Sequence, residues 1–301
     1  MINSAQPSPR GNGLSRIWTL ASATLTQLLR MKVLAFIGVF CVIAVAFGFA
    51  FPVQNAEQQL NLLKGGSFGA LQLFSMVIAI VSTAILLPRD LEDRTLYTIL
   101  SKPVPRHQYL LGKYLGVMTL IGIGLALMDG IFSGILYLRE NMVFASEMAS
   151  LKANRMDGPE EVAALEALVQ THGLTWSVHA GVLAVFLKAA VIAAMALMIS
   201  CFSSSTLYTI VISFFLVIIG HGQELAREFF FQPHLSVTGQ KIAALVLSIL
   251  VPDLGMFDIT DNIIAGQSVP IEALGWILGT AAMYVSAYLV VAHLLFVEKE
   301  L

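Results

Sequence analysis

Residues 68–87 read FGALQLFSMVIAIVSTAILL, and residues 88–114 read PRDLEDRTLYTILSKPVPRHQYLLGKY. The first stretch holds no charged side chain. Crossing about 30 Å of hydrocarbon takes around 20 apolar residues at about 1.5 Å each, so a helix there is long enough to span a bilayer. The second stretch changes character at once, with Arg89, Asp90, Glu92, Asp93 and Arg94 in quick succession. Those charges are expensive in lipid and must project into water. A span that feeds a charged elbow sets the class: an all-α membrane protein.

Working outward, apolar runs of similar kind lie at 33–51, 115–138, 178–202, 206–220 and 274–296. With 68–87 they predict six transmembrane helices and both termini on one side. Pro52 and Pro88 are expected to stop the first two, because proline removes a helix hydrogen bond and its ring collides with the preceding turn. Apolar residues make up 57% of the chain and charged ones 12%, about half the charged share of a soluble domain. No water-facing surface can be built from that, so residues 33–301 form one membrane domain.

Residues 1–32 stand apart. A Ser, Pro, Gly and Asn-rich tail is followed from Leu14 to Lys32 by helical periodicity, with Ile17, Trp18, Leu25, Leu28 and Leu29 apolar. This predicts an amphipathic helix lying on the membrane surface. The first apolar run begins only at Val33, so no cleaved signal is expected. The turn 203–205 makes 178–202 and 206–220 an antiparallel pair. Residues 139–176 form a polar insert with six acids and three bases, in which Pro159-Glu-Glu starts a short helix. Within 221–271, the run 241–251 is too short to cross and is closed by Pro252-Asp253, which predicts a re-entrant or outer hairpin before the last span. Glu224, Arg227 and Glu228 read as its solvated face and Phe229 to Phe231 as interfacial.

Orientation follows from short-loop cations. Arg30 and Lys32 precede the first span, and Arg89, Arg94, Lys102, Arg106 and Lys113 fall between the second and third. That side is expected to be cytoplasmic, with Lys64 alone in the first loop opposite. The net charge of −2 hides an uneven distribution and says nothing about partners; no nucleic-acid partner is expected. Cys41 and Cys201 lie in or beside apolar runs and offer neither a disulfide framework nor a zinc site.

In the elbow, Asp90, Glu92 and Asp93 fall in the first turns of a helical piece, where the positive helix end favours acids. Leu91, Leu96, Ile99 and Leu100 supply an apolar face, Pro103 and Pro105 end it, and Tyr109 to Lys113 begin the return into the third span. Spacing alone leaves two readings open: a stiff docking elbow, or a charged loop that only enforces topology. The string EDRTLYTILSKPVPRHQYLLGK, residues 92–113, resembles the signature that follows the second span in ABC-2 type transporter permeases. Within them it is most similar to the branch named for copper-enzyme maturation and gliding motility. The six-span layout, the surface helix and the hairpin before the last span resemble the family over nearly the whole chain.

The resemblance implies that the elbow is a cytoplasmic coupling helix docking in a groove of a separate nucleotide-binding subunit, with contact roles for Glu92, Asp93, Arg94, Thr95 and Leu96. Arg94 stands where many members of the family carry glycine. Ser101, Pro103, Arg106, Gly112 and Lys113 are implied as features of the bend and its return, with no catalytic role. The chain has no G-x-x-x-x-G-K-[ST] loop, since Gly112-Lys113-Tyr114 lacks the earlier glycine and the hydroxyl. ATP and Mg are therefore expected in the partner ATPase and no cofactor on this chain. The expected assembly is two ATPase subunits with two membrane halves, either two copies or a copy and a paralogue, in a prokaryotic inner membrane, working as an exporter with both termini cytoplasmic.

Other residues are weighed individually. Asp129 and Lys188 fall near the middle of adjacent spans, at similar expected depth, where an unpaired charge costs about 2.5–3.5 kcal/mol. They read first as a structural ion pair, and second as the lining of a substrate path or a proton relay. Gly130 with Gly134, Gly275 with Gly279, and Ala189, Ala190, Ala193, Ala194 and Ala196 read as close helix packing within the chain before they read as a dimer seam. His172, His179, His221 and His234 lack metal-ligand spacing, and Met195 with Met198 reads as packing. Two rival functions remain open. One is an ATP-independent secondary carrier, although no inverted repeat is evident. The other is an ATP-coupled mechanical transmitter that contacts an extracytoplasmic partner through 139–176. The substrate is not written in the sequence.

Overall fold

A computed structural model of the chain describes residues 13–30, 33–49, 55–92, 105–203, 205–223 and 251–298. Among them are nine α-helices and no strand: α1 Gly13–Leu29, α2 Val33–Phe49, α3 Ala56–Glu92, α4 Arg106–Ala153, α5 Pro159–His172, α6 Trp176–Phe202, α7 Thr206–His221, α8 Thr260–Ile264 and α9 Ile271–Glu298. The N-terminal tail, most of the elbow from Asp93 through Thr95, Leu96, Ser101 and Pro103, and the hairpin stretch with Glu224, Arg227, Glu228, Phe229 to Phe231, His234 and 241–250 lie outside the described residues.

Four helical stretches are long and apolar enough to cross a membrane, within 56–88, 106–153, 159–202 and 271–297. The other two expected crossings are shorter. α2 has 17 residues and α7 has 16, about 24–26 Å of helix against about 30 Å of hydrocarbon.

Several expected boundaries are corrected. α3 starts at Ala56, twelve residues before 68, because Glu57 to Gly66 is helical and not loop. Lys64 is therefore a fully buried helical residue, its ammonium donating to the Ile263 carbonyl at 3.3 Å. Pro88 does not stop α3, which continues to Glu92. Leu86, Leu87 and Asp90 are buried around it, and that packing outweighs one missing N–H and the clash at the turn before. α4 runs 48 residues to Ala153, so the insert is the far half of a long helix folded back on α5 through a turn in which Arg155 has φ of 55°. Pro159 opens α5 as expected, at a first position that needs no N–H.

Side-chain contacts fix the register. α3 and α4 run antiparallel, with Asp90 on Lys113 at one end, the Phe68 and Phe132 rings 5.5 Å apart between, and Arg139 donating to Gln59 at 2.6 Å at the other. α6 lies antiparallel to α4, with the Tyr114 hydroxyl donating to the Ala190 carbonyl at 3.2 Å and His179 meeting Asp129. α9 returns beside the start of α4, where Tyr109 and Phe296 stack at 5.8 Å. α6 packs on α3, α4, α7 and α9, and the five alanines singled out in it are all buried, which lets four neighbours approach one axis.

α1 is laid along the first turns of α4. A Cβ at Gly112 would stand 2.5 Å from Leu20 Cβ, and one at Gly116 would stand 2.6 Å from Thr24 Cβ. Both glycines are needed for that approach. Gly130, Gly134, Gly275 and Gly279 behave otherwise. A Cβ added at any of them meets no described atom within 4 Å, so among the described residues they make none of the close packing expected of them.

Candidate functional site

Two polar clusters stand out in this apolar bundle. The first is the base of the elbow. Asp90 lies in the last turn of α3 and Lys113 two turns into α4, and their side chains form an ion pair at 2.7 Å with 6% and 8% exposure. The Tyr109 hydroxyl donates to the same Asp90 carboxylate at 2.5 Å, and the Lys113 ammonium sits 5.7 Å from the Tyr109 ring centre. Arg106 donates from one nitrogen to the Phe296 and Val297 carbonyls at 2.9 and 2.8 Å and lies over the Phe296 ring. Those carbonyls belong to the last turns of α9, which have no helical partner of their own. The two legs of the elbow are thus bolted to each other and to α9. Lys113 and Arg106, read from sequence as parts of the bend, have these contacts; Gly112 instead makes room for α1. Glu92 ends α3 and leads into the undescribed elbow.

The second cluster lies at mid-depth and corrects the expected pairing. Asp129 and Lys188 do not meet. The carboxylate of Asp129 receives the ring of His179 at 2.9 Å, and the ammonium of Lys188 donates to Asp258 at 3.3 Å. The reason is register. On α6, His179 and Lys188 are nine residues apart, about 13 Å along the axis, so Asp129 belongs toward the Trp176 end of the bundle and not its middle. Centring each apolar run separately hid this, because α4 extends far past its apolar part.

Asp258 reaches Lys188 because α7 stops short. From the shared turn, His221 is fifteen residues along α7 and Lys188 fourteen back along α6, so both lie about 21–22 Å from that end. The chain returns at 251–258, with Gln223 donating to the Val251 carbonyl and Leu254 N–H donating to the Gly220 carbonyl at 3.1 Å. It then climbs past Lys64 and α8 to Gly266, whose φ of 78° suits glycine. Gln72 and Thr260 donate to the other Asp258 oxygen at 2.7 and 2.9 Å. A cavity of about 230 Å³ opens beside Lys188, with Gln72, Ser75 and His221 as its other polar lining and Leu73, Met76 and Ile192 among its apolar walls.

Sequence reasoning missed Tyr109, Gln72, Asp258 and Thr260. The lone amide in the apolar run 68–87 was the one available signal. Among the described residues no three His, Cys, Asp or Glu side chains converge as a metal cluster. At the Trp176 end His172 meets Asn61 at 2.9 Å, and the Leu174 N–H donates to Glu140 at 3.1 Å, holding α5 against the bundle. No protein-family model and no curated protein matches the chain.

Proposed function

We propose that this chain is the permease subunit of an ABC-2 type, ATP-driven exporter of the inner membrane, whose ATP and Mg are held by two separate ATPase subunits. The observation that carries the reading is the charged elbow after α3 together with the way its two legs leave the bundle. An elbow that transmits force needs a rigid root, and Asp90, Tyr109 and Lys113 supply one in low dielectric, where an ion pair with added hydrogen bonds holds its geometry.

In this reading α2 and α7 are the two short crossings and α1 is the interfacial helix. Glu92, Asp93, Arg94, Thr95 and Leu96 face the ATPase, and both chain termini are cytoplasmic. The second membrane half is another copy or a paralogue, and the open glycine faces of α4 and α9 leave room for close approach.

Co-expression with the cassette ATPase tests this. The wild-type chain is expected to co-purify with it, and Asp93→Ala, Thr95→Ala, Leu96→Ala together are expected to lose the complex while the permease still folds. Purification alone, with solute movement down an ion gradient, would overturn it. A second reading, the ATP-coupled mechanical transmitter, draws on one feature: α4 runs fourteen residues past Arg139, about 21 Å, and with α5 makes a two-helix arm. Retained ATPase coupling after removal of 141–172, with no other loss, would exclude it.

A further inference from the structure

The cavity beside Lys188 is defined by a mismatch of charge and hydrogen bonding. Lys188 and Asp258 cancel each other's charge, yet they are not equally provided for. Asp258 accepts from Gln72 and Thr260 besides Lys188, and its side chain is 37% exposed. Lys188 is 6% exposed and has three N–H donors, of which one reaches Asp258 at 3.3 Å and the others have no partner among the described residues. Unmet donors of an ammonium at this depth attract any acceptor that enters. His221, on the cavity lining, uses its Nδ1 on the Val217 carbonyl at 2.9 Å. Apart from that polar end the walls are apolar, from Leu73, Met76, Ala189 and Ile192, and the volume far exceeds the about 10–15 Å³ one water needs.

We infer that this cavity is a binding site for a neutral apolar molecule carrying a carbonyl acceptor, an ester or amide, whose oxygen takes the free Lys188 donors. Neutrality follows from the charge balance. Because the ion pair already sums to zero, a carboxylate or phosphate would bring an unbalanced negative charge to mid-depth beside Asp258. A plain hydrocarbon would leave the ammonium donors unmet. The inference is independent of ATPase coupling, since occupancy is read on this chain alone.

The test uses the full-length chain in phosphatidylcholine nanodiscs and three photoactivatable diazirine probes of equal chain length: an alkyl methyl ester, the corresponding alkane and the corresponding carboxylate. The ester is expected to label peptides containing Met76 or Ile192 about tenfold more than the alkane, the worth of one hydrogen bond from a charged donor, and more than the carboxylate. Lys188→Met is expected to abolish that preference. Met76→Trp, which fills the cavity and leaves the ion pair in place, is expected to remove the labelling itself. Equal labelling by the alkane would show only access of lipid tails and overturn the inference. Stronger labelling by the carboxylate, or an ester preference that survives Lys188→Met, would overturn it too. Should Lys188→Met fail to fold, the three-probe comparison and Met76→Trp decide the matter.

Discussion

The Lys113 ammonium reaches a carboxylate from the neighbouring helix in a place nearly closed to water, and that makes its loss costly in one direction only. Lys113→Met removes the cation from the buried Asp90 carboxylate, to which the Tyr109 hydroxyl still donates. Removing one partner of such a pair costs about 3–5 kcal/mol, whereas replacing both with apolar groups is often neutral. Lys113→Met is therefore expected to lower the thermal unfolding temperature of the detergent-solubilised chain sharply, and Asp90→Leu with Lys113→Met to restore most of it. A double variant as unstable as the single would contradict this account. Residue-level coupling also separates the two intramembrane acids. Asp129→Asn and Lys188→Met sit at different depths and share no partner, so their effects on stability should add within about 0.3–0.5 kcal/mol. Lys188→Met with Asp258→Asn should depart from additivity by about 0.5–3 kcal/mol. A double-mutant cycle with the opposite ordering would mean that Lys188 and Asp129 do meet.

Helices in this chain approach one another through small residues, and which glycines serve that purpose depends on packing that periodicity does not carry. Gly112 and Gly116 lie one turn apart under Leu20 and Thr24, so α1 rests on the backbone of α4. Gly116→Leu is expected to lift α1 and cost about 1–3 kcal/mol by overpacking, with faster tryptic cleavage at Arg30 as the direct sign of a displaced α1. A Cβ at Gly134 meets no described atom within 4 Å, so Gly134→Ala should not lower the unfolding temperature of the single chain. The same dependence on packing explains which elements were legible. α6, α7 and α9 appear within three residues of their expected ends because polar turns bound them on both sides, at Thr175, Ser203, Ser205 and Pro270. α3 and α4 overran their expected limits because amphipathic flanks such as Glu57 to Gly66 continue a helix without being apolar. Pro88 was read as a stop because its local penalty is visible in sequence, whereas the burial that outweighs it is not.

At the scale of the molecule, the helical class and four helices of membrane-crossing length were legible from apolar run lengths, while the polar sites were not, since Asp258 reaches Lys188 across 70 positions of chain. The path of the chain nevertheless follows from contacts. α3 and α4 are antiparallel, as are α4 and α6, and α9 descends beside the start of α4, so Asp90, Arg106, Phe202 and Phe296 share one end while Gln59, Arg139 and Trp176 share the other. Which end faces the cytoplasm is a matter of charge, because short loops rich in Lys and Arg resist translocation. Arg89, Arg94, Lys102 and Arg106 lie in or beside the connection between α3 and α4, and the opposite arm, 139–176, carries twice as many acids as bases. Single cysteines in a background with Cys41 and Cys201 replaced by alanine and serine convert this to a measurement. Asp157→Cys, in the turn at the tip of the arm, should react with a membrane-impermeant maleimide on intact cells. Ser204→Cys, in the turn between α6 and α7, should react only after the membrane is opened. If Ser204→Cys reacts from outside and Asp157→Cys does not, the elbow lies on the side without ATP and the coupling proposal falls with it. If both react from outside, α6 does not cross the membrane at all, and the bundle must be inserted by the remaining helices in some other way.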